Sequence, residues 1–398
     1  MKLGIVSAFP PSKITLTEYG YHLVKNFASL ESVDEILLFC DETSEAKVLD
    51  FPHSDKVTVV ECWQFNSYYN LNKVTKAVKK HQPDKVLFNL QFMKFGDKKV
   101  AAALGLMLPK ALKARGFEST VLIHNILERV DLEKAGFTKN PLLKWIYNSI
   151  GNTLTKFILS AQTVAVTIPK YKTILENKYK KDNVVVIPHG TFEIPKVPDY
   201  PATLGATKKV MTFGKFGTYK KIEILIEAVE LIRNRTDENI EIVIAGTDNP
   251  NTLGYLDAVK SKYREVSQLT FTGYVPEEDV ERIFTESAVV VFPYTSTTGS
   301  SGVLHQAGSY GKSVVIPNIQ DLKEVIHDEG YRGEYFDPHS AESLADAIQA
   351  ILTNDAYRLE LEKANYQAAT AYPMTRVCQM YLATFGYVTE TKINKVLA

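Results

Sequence analysis

Cysteine is scarce in this chain. Three residues in 398, Cys40, Cys62 and Cys378, are too far apart for a CxxC pair and odd in number. A disulfide framework is therefore not expected, and a reducing cytoplasm is the expected setting. Net charge is also missing: 46 basic residues balance 46 acidic ones, which argues against a dedicated nucleic-acid binder. Long hydrophobic runs are absent too. Leu3-Gly4-Ile5-Val6 stops before Pro10-Pro11, too short for a signal segment, and no later stretch approaches the ~20 residues of a spanning helix. A membrane-integral protein and an exported bilobed solute-binding protein are both disfavoured. Short-period repeats are missing, as are a GxSxG elbow, an HExxH pair, an EF-hand loop and the protein-kinase signatures. So is a DxD pair to hold a divalent metal on a nucleotide diphosphate, and no metal is expected.

What is present is alternation. Short β-branched runs at 3–7, 35–39, 57–62, 85–89, 120–124 and 163–167 are separated by amphipathic stretches at 18–30, 71–80, 98–113 and 142–160. The second half repeats the pattern with strands at 209–213, 240–245, 269–272, 288–292 and 313–316, and helices at 222–233, 253–263, 277–285, 303–310 and 344–352. Apolar strands alternating with helices predict parallel sheets covered on both faces. Between the halves, Pro188, Pro195, Pro198 and Pro201 interrupt all periodicity. The expected architecture is α/β, two doubly wound lobes facing a cleft: residues 1–190, then 191–373, with a terminal helix in 374–398 rejoining the first lobe. Ligands in such folds bind at the carboxyl ends of strands.

Three strand ends carry chemistry. Phe213-Gly214-Lys215-Phe216-Gly217-Thr218-Tyr219-Lys220 places two glycines and two lysines before a helix, a pattern suited to an anion and equally to a plain turn with solvated lysines. Thr295–Gly302 is almost entirely Ser, Thr and Gly before a helix, exposing amides and hydroxyls to a diphosphate or a sugar; the plain alternative is a flexible loop capped by Ser301. His124 closes the apolar run 121–123 and is either structural or catalytic.

Taken in order, the motifs of the second half resemble the retaining glycosyltransferases of family 4, the group 1 glycosyl transferases, whose two Rossmann-like lobes form the GT-B fold. The similar segments are Phe213–Phe216 with Lys220, Ile242–Gly246, Phe271–Pro276, Asp321–Ile326, Gly333–Phe336 and Ser343–Ile348. The resemblance implies that Lys215 and Lys220 hold the donor diphosphate beside Gly214. It also implies that Tyr274 and Val275 line the nucleobase pocket, and that His124 approaches the transferred sugar. The family's two glutamates fall at Thr298 and Gln306, a departure that leaves Gly299, Ser300, Ser301, Gly302 and Val303 to contact the donor. The first loop departs as well, with Thr15 and Thr17 where many members carry paired glycines.

The expected activity is hexose transfer from a nucleotide sugar, UDP-glucose or a similar UDP-hexose, to a glycan or lipid-linked acceptor in polysaccharide assembly. A GDP-mannose-dependent transferase and a catalytically silent sugar-nucleotide-binding protein are the alternatives. The segment 141–158 is aromatic and aliphatic, with Lys134, Lys139, Lys144 and Lys156 nearby. It is read either as packed on its own sheet or as a peripheral contact with the inner face of the membrane.

Overall fold

A computed structural model of the protein describes residues 1–129, 140–249, 251–296 and 300–387. The chain divides into two compact units: Met1–His189 with Met374–Ala398, and Gly190–Pro373.

The first unit is a seven-stranded sheet of β1 (Lys2–Val6), β2 (Glu35–Asp41), β3 (Val57–Trp63), β4 (Lys85–Leu90), β5 (Ser119–Ile123), β6 (Thr163–Val166) and β7 (Val184–Val186), in the order β3-β2-β1-β4-β5-β6-β7. Every pairing is parallel. Central strands are buried on both faces, as in β5, whereas edge strand β3 is half open. The covering helices are α1 (Thr17–Ala28), α2 (Asn70–His81), α3 (Lys99–Leu106), α4 (Leu108–Lys113), α5 (Pro141–Ile158) and α6 (Pro169–Tyr179). The single helix expected over 98–113 is thus two, broken at Met107, because Pro109 lacks the amide that would continue α3 and instead opens α4.

The second unit is a six-stranded parallel sheet of β8 (Lys208–Phe216), β9 (Ile240–Asp248), β10 (Leu269–Gly273), β11 (Val289–Val291), β12 (Val314–Pro317) and β13 (Glu334–Phe336), in the order β10-β9-β8-β11-β12-β13. Its helices are α7 (Glu223–Arg235), α8 (Tyr255–Lys262), α9 (Glu277–Glu286), α10 (Gly302–Ser309), α11 (Gln320–Glu329), α12 (Ala341–Leu352) and α13 (Asp355–Ala371). Leu225, Ile226, Val229 and Ile232 on one stripe of α7 pack with Leu344, Ile348 and Ile351 of α12 against β8, β9 and β11.

The last helix, α14 (Met374–Thr384), returns to the first unit and lies on α1. There Thr375 donates to Asn26 Oδ1 at 2.7 Å, and the Thr120 and Thr384 hydroxyls are 3.2 Å apart. Among the described residues, no helix is long and apolar enough to cross a membrane.

Both sheets reverse their winding direction once: between β1 and β4 in the first unit, and between β8 and β11 in the second. Neighbouring loops diverge at such a switch point and leave a crevice at the strand ends.

Candidate functional site

In the second unit, β8 runs three residues further than its apolar run predicts. Gly214 pairs with Gly246 and the ladder continues to Phe216 and Asp248. Both glycines have positive φ, 133° and 141°, and a Cβ on Gly246 would lie 1.8 Å from the Gly214 carbonyl oxygen. The two backbones therefore meet only because Gly246 has no side chain.

Beyond β8 the chain folds back so that Lys220 forms an antiparallel bridge with Tyr294, which follows β11. Lys221 N donates to Pro293 O and Thr295 N to Tyr219 O, fastening the two loops of the switch point together. The Lys220 ammonium lies 4.7 Å from the Tyr294 ring centroid. It also lies against Gly214, where a Cβ would come within 2.7 Å of Nζ. Lys220 is 9% exposed, and burial pulls its pKa down against the opposing influence of Tyr219. Lys215, by contrast, is exposed. The two lysines that looked alike in the sequence differ: one is a desolvated, fixed cation and the other a solvated one.

Ser300 and Ser301 lead into α10, with Gly302 exposed at its start and Val303 and Gln306 partly buried. The Ser301 side chain makes no capping bond to the helix, so the plain reading of a capped loop does not hold. Thr298 and Gly299 lie outside the described residues. At the far edge of the same sheet end, Gly246 N donates to Thr272 Oγ1 at 3.3 Å. Two residues later Tyr274 is 78% exposed. Tyr274 and Val275 border a cavity of about 330 Å³ with Met211, Val243, Asp279 and Arg282. Gly214, Lys220 and Tyr294 thus gather at the switch point, with Ser300–Gly302 at the start of the helix that follows β11, while Tyr274 and Val275 stand two strands away on the same edge.

In the first unit, Asn89 at the end of β4 spans the switch point. Its Nδ2 donates to Ser7 Oγ at 3.0 Å and to the Leu16 carbonyl at 3.3 Å, and its Oδ1 lies 2.8 Å from His124 Nε2. A carbonyl only accepts, so Nδ2 is the amide nitrogen and Oδ1 the acceptor; His124 Nε2 therefore carries the proton and Nδ1 a lone pair. Tyr19 meets the imidazole edge-on, with centroids 4.5 Å apart. Burial first, then His189 and Lys94, holds the His124 pKa well below its ordinary value. The ring is neutral at pH 7, an acceptor suited to a sugar hydroxyl rather than a cation suited to phosphate.

Sequence reading missed Asn89 and Lys94. Lys94, 1% exposed, donates from Nζ to the Thr15 carbonyl at 2.7 Å and so supports the loop before α1. Of the threonines expected there, Thr15 is exposed and held through its carbonyl, whereas the Thr17 hydroxyl is spent on Ile14 O at 2.5 Å. The one available signal for Lys94 was its place among aromatic residues, Phe92 and Phe95.

Burial lowers the Lys94 pKa to about 7, with Asp41 opposing. The folded state therefore binds this proton less tightly than the unfolded chain, and the destabilisation fades as pH rises from about 7 towards 10.5. Lys94→Met is expected to be the more heat-stable protein near pH 6.5, with the Tm difference from wild type narrowing by pH 9. Paired thermal melts across that range check this, and a constant difference would refute it.

Residues 207–354 match the family model described as "Glycosyl transferases group 1". Among curated proteins the chain is 29% identical over 153 residues to the serotype-specific mannosyltransferase WbdA of Escherichia coli, covering 38% of this chain and 18% of that one. It is 24% identical over 211 residues to O-antigen chain mannosyltransferase C of Escherichia coli, 50% of this chain and 53% of the relative. The chain thus spans about a fifth to a half of the length of these relatives. Two solved structures share the fold along the whole chain. Sucrose-phosphate synthase from Thermosynechococcus elongatus has a TM-score of 0.73 and 17% identity over 98% of this chain and 100% of that one. Anabaena Alr3699/HepE in complex with UDP and glucose has a TM-score of 0.66 and 14% identity over the same shares. The fold is GT-B.

Proposed function

We propose that the protein is a retaining glycosyltransferase that moves a hexose from a nucleotide sugar to a glycan or lipid-linked sugar in polysaccharide assembly. The observation that carries this reading is Lys220, a buried cation fixed at the switch point between glycine-lined strand ends and the turn before α10. When the sugar–phosphate bond stretches, negative charge grows on the departing diphosphate. Lys220, the solvated Lys215 and the amides of Ser300–Gly302 meet that charge, and being already in place they need no rearrangement during the reaction. Gly214 keeps the strand end open to the phosphate, and Val303 and Gln306 flank the ribose side. Tyr274 and Val275 border the base. His124, neutral and set by Asn89, accepts from a hydroxyl of the transferred sugar.

UDP-glucose is the first donor to test, supported by the UDP and glucose in complex with the Anabaena protein. A mannosyl donor is the second, supported by the Escherichia coli mannosyltransferases to which the chain is similar. Transfer assays with UDP-glucose and GDP-mannose, with and without EDTA, test the reading. Turnover that survives the chelator, with the donor's anomeric configuration kept in the product, is the expected result. Binding without turnover on any acceptor would show a silent sugar-nucleotide-binding protein instead.

A lipid-linked acceptor requires a surface that meets the inner face of the membrane, and α5 is assigned that role. Asn140 caps it, its Oδ1 accepting from Leu142 N and Leu143 N. The first turn presents Leu142 at 65% and Trp145 at 68% exposure. Lys134, Lys139 and the side chain of Lys144 lie outside the described residues. Trp145→Glu is expected to abolish co-sedimentation with anionic vesicles while leaving Tm within a degree or so, since an exposed side chain carries little stability. Equal pelleting of both proteins would remove the membrane role.

A further inference from the structure

A groove in the first unit takes no part in the reading above. It opens between α2 and α4, holds about 280 Å³ and is bordered by Tyr68, Tyr69, Asn72, Leu104, Ala111 and Arg115. Tyr68 and Tyr69 follow β3 and are 53% and 71% exposed, and neither hydroxyl has a protein partner among the described residues. Arg115 stands just past α4, where its Nη1 donates to the Ala111 carbonyl at 2.8 Å and leaves its other donors to solvent. The charge around the groove is one-sided. Residues 70–83 and 98–117 hold nine lysines and arginines and no aspartate or glutamate, in a chain whose charges balance overall. Three of these cations are engaged elsewhere: Lys73 pairs with Glu42 at 2.7 Å, and Lys99 and Lys110 sit over the Tyr147 and Phe157 rings of α5 at 4.4 and 4.6 Å. Lys76 and Lys79 are not. They lie one turn beyond Asn72 and Thr75, on the face of α2 that borders the groove, and no carboxylate pairs with them or with Arg115 among the described residues.

Shape, aromatic rims and unpaired cations together select a ligand. A membrane meets protruding apolar side chains, and this surface is a hollow. At about 280 Å³ it lies just under the ~300–1,000 Å³ of pockets for drug-sized ligands, so it admits a narrow chain and not a protein helix. A saccharide has the matching profile. The C–H bonds on the face of a pyranose ring pack on the negative face of a phenol ring, and its hydroxyls bond the Asn72 amide. Acidic groups along the chain pair with the Arg115 fork and with Lys76 and Lys79. From β3 to β5, the strand before His124, is four strand spacings, about 20 Å, so a ligand here is remote from the reacting sugar. We propose that this groove binds an acidic saccharide chain, the body of the acceptor glycan behind its reacting end. The saccharide site stands on the groove alone, whereas its role as a grip on the acceptor rests on the transferase reading.

The test separates saccharide from charge. Hexagalacturonate, neutral maltohexaose and polyaspartate are titrated calorimetrically into the full chain as wild type, Tyr69→Ala, Tyr69→Phe and Arg115→Ala. Wild type is expected to bind hexagalacturonate, less tightly as salt rises, and to bind the other two at least about 10-fold more weakly. Tyr69→Ala and Arg115→Ala are each expected to weaken hexagalacturonate binding about 10-fold, the scale of an aromatic or arginine anchor. Tyr69→Phe, which keeps the ring face, is expected to stay within about twofold of wild type. Both side chains are exposed, so folding is not at stake, and thermal melts verify this. Absence of hexagalacturonate binding overturns the proposal. So does polyaspartate binding as tightly, or Tyr69→Ala binding as wild type, since either shows plain electrostatics. Co-sedimentation with anionic vesicles runs alongside: variants that lose the vesicles and keep hexagalacturonate reveal a membrane surface and also overturn it. None of these readouts needs turnover. A chain that binds hexagalacturonate through Tyr69 and Arg115 but transfers no hexose loses the transferase reading and keeps the saccharide site. A working transferase that ignores hexagalacturonate loses this proposal alone.

Discussion

Lys220→Ala is expected to lower kcat/KM by about 150-fold, or ~3 kcal/mol, the scale seen when one preorganised donor to a developing anion is removed. It is also expected to leave the protein at least as stable as wild type. The two outcomes have one cause. Lys220 is 9% exposed, bridged to Tyr294 and placed over its ring, with no carboxylate paired to it among the described residues. Burial lowers its pKa, which means that folding disfavours its charged form. The folded state is therefore stabilised as pH rises through the lowered pKa, and below it the ammonium is a cost to the fold. An incoming diphosphate reverses that cost by supplying the missing counter-charge, so affinity and turnover depend on a group that stability would discard. Lys220→Met, which keeps the stem over Tyr294, is expected to raise Tm while sharing the kinetic loss. Lys220→Arg is not expected to rescue activity, because a planar guanidinium needs more space than the compact ammonium that packs beside Gly214. Steady-state kinetics with thermal melts on the three variants check this; near-normal turnover in Lys220→Ala would place the diphosphate elsewhere.

The same residue shows where sequence reading reaches its limit. Parallel strands buried on both faces are written as apolar runs, so β5 and β11 were visible at once. Glycine obscured the end of β8. Gly214 reads as a turn residue, and that it continues the ladder depends on Gly246, some thirty residues on, also lacking a side chain. Lys215 and Lys220 read as equals because the burial of Lys220 is decided by Tyr294, which reaches it only through the fold. Position along the strand ends was legible; which groups there are desolvated was not, since desolvation is a property of long-range packing.

The second large effect concerns α13, a helix that periodicity did not reveal because charged residues occupy its buried face. Arg358, fully buried, donates from Nη1 to both Glu362 carboxylate oxygens at 3.0 and 2.9 Å and from Nη2 to the Pro201 carbonyl at 2.7 Å, with Asp355 at 3.2 Å. It therefore fixes the proline-rich segment that leads into β8, the strand bearing Gly214 and Lys215. Burial raises the Glu362 pKa while Arg358 opposes it, so the carboxylate depends on the guanidinium to stay ionised. Arg358→Ala removes that partner, leaves the Pro201 carbonyl without this donor, and is expected to cost about 3–5 kcal/mol, the scale for a broken buried pair. The loss should be partly recovered on acidification, as Glu362 takes up a proton and ceases to be a buried unpaired charge. Arg358→Met with Glu362→Leu, which removes both charges at similar volume, should regain most of the stability, because well-packed apolar replacements of buried pairs are often neutral. Chemical denaturation of wild type, the single variant and the double variant measures both changes. A single variant within about 1 kcal/mol of wild type, well below the broken-pair scale, would show that Arg358 only fills space.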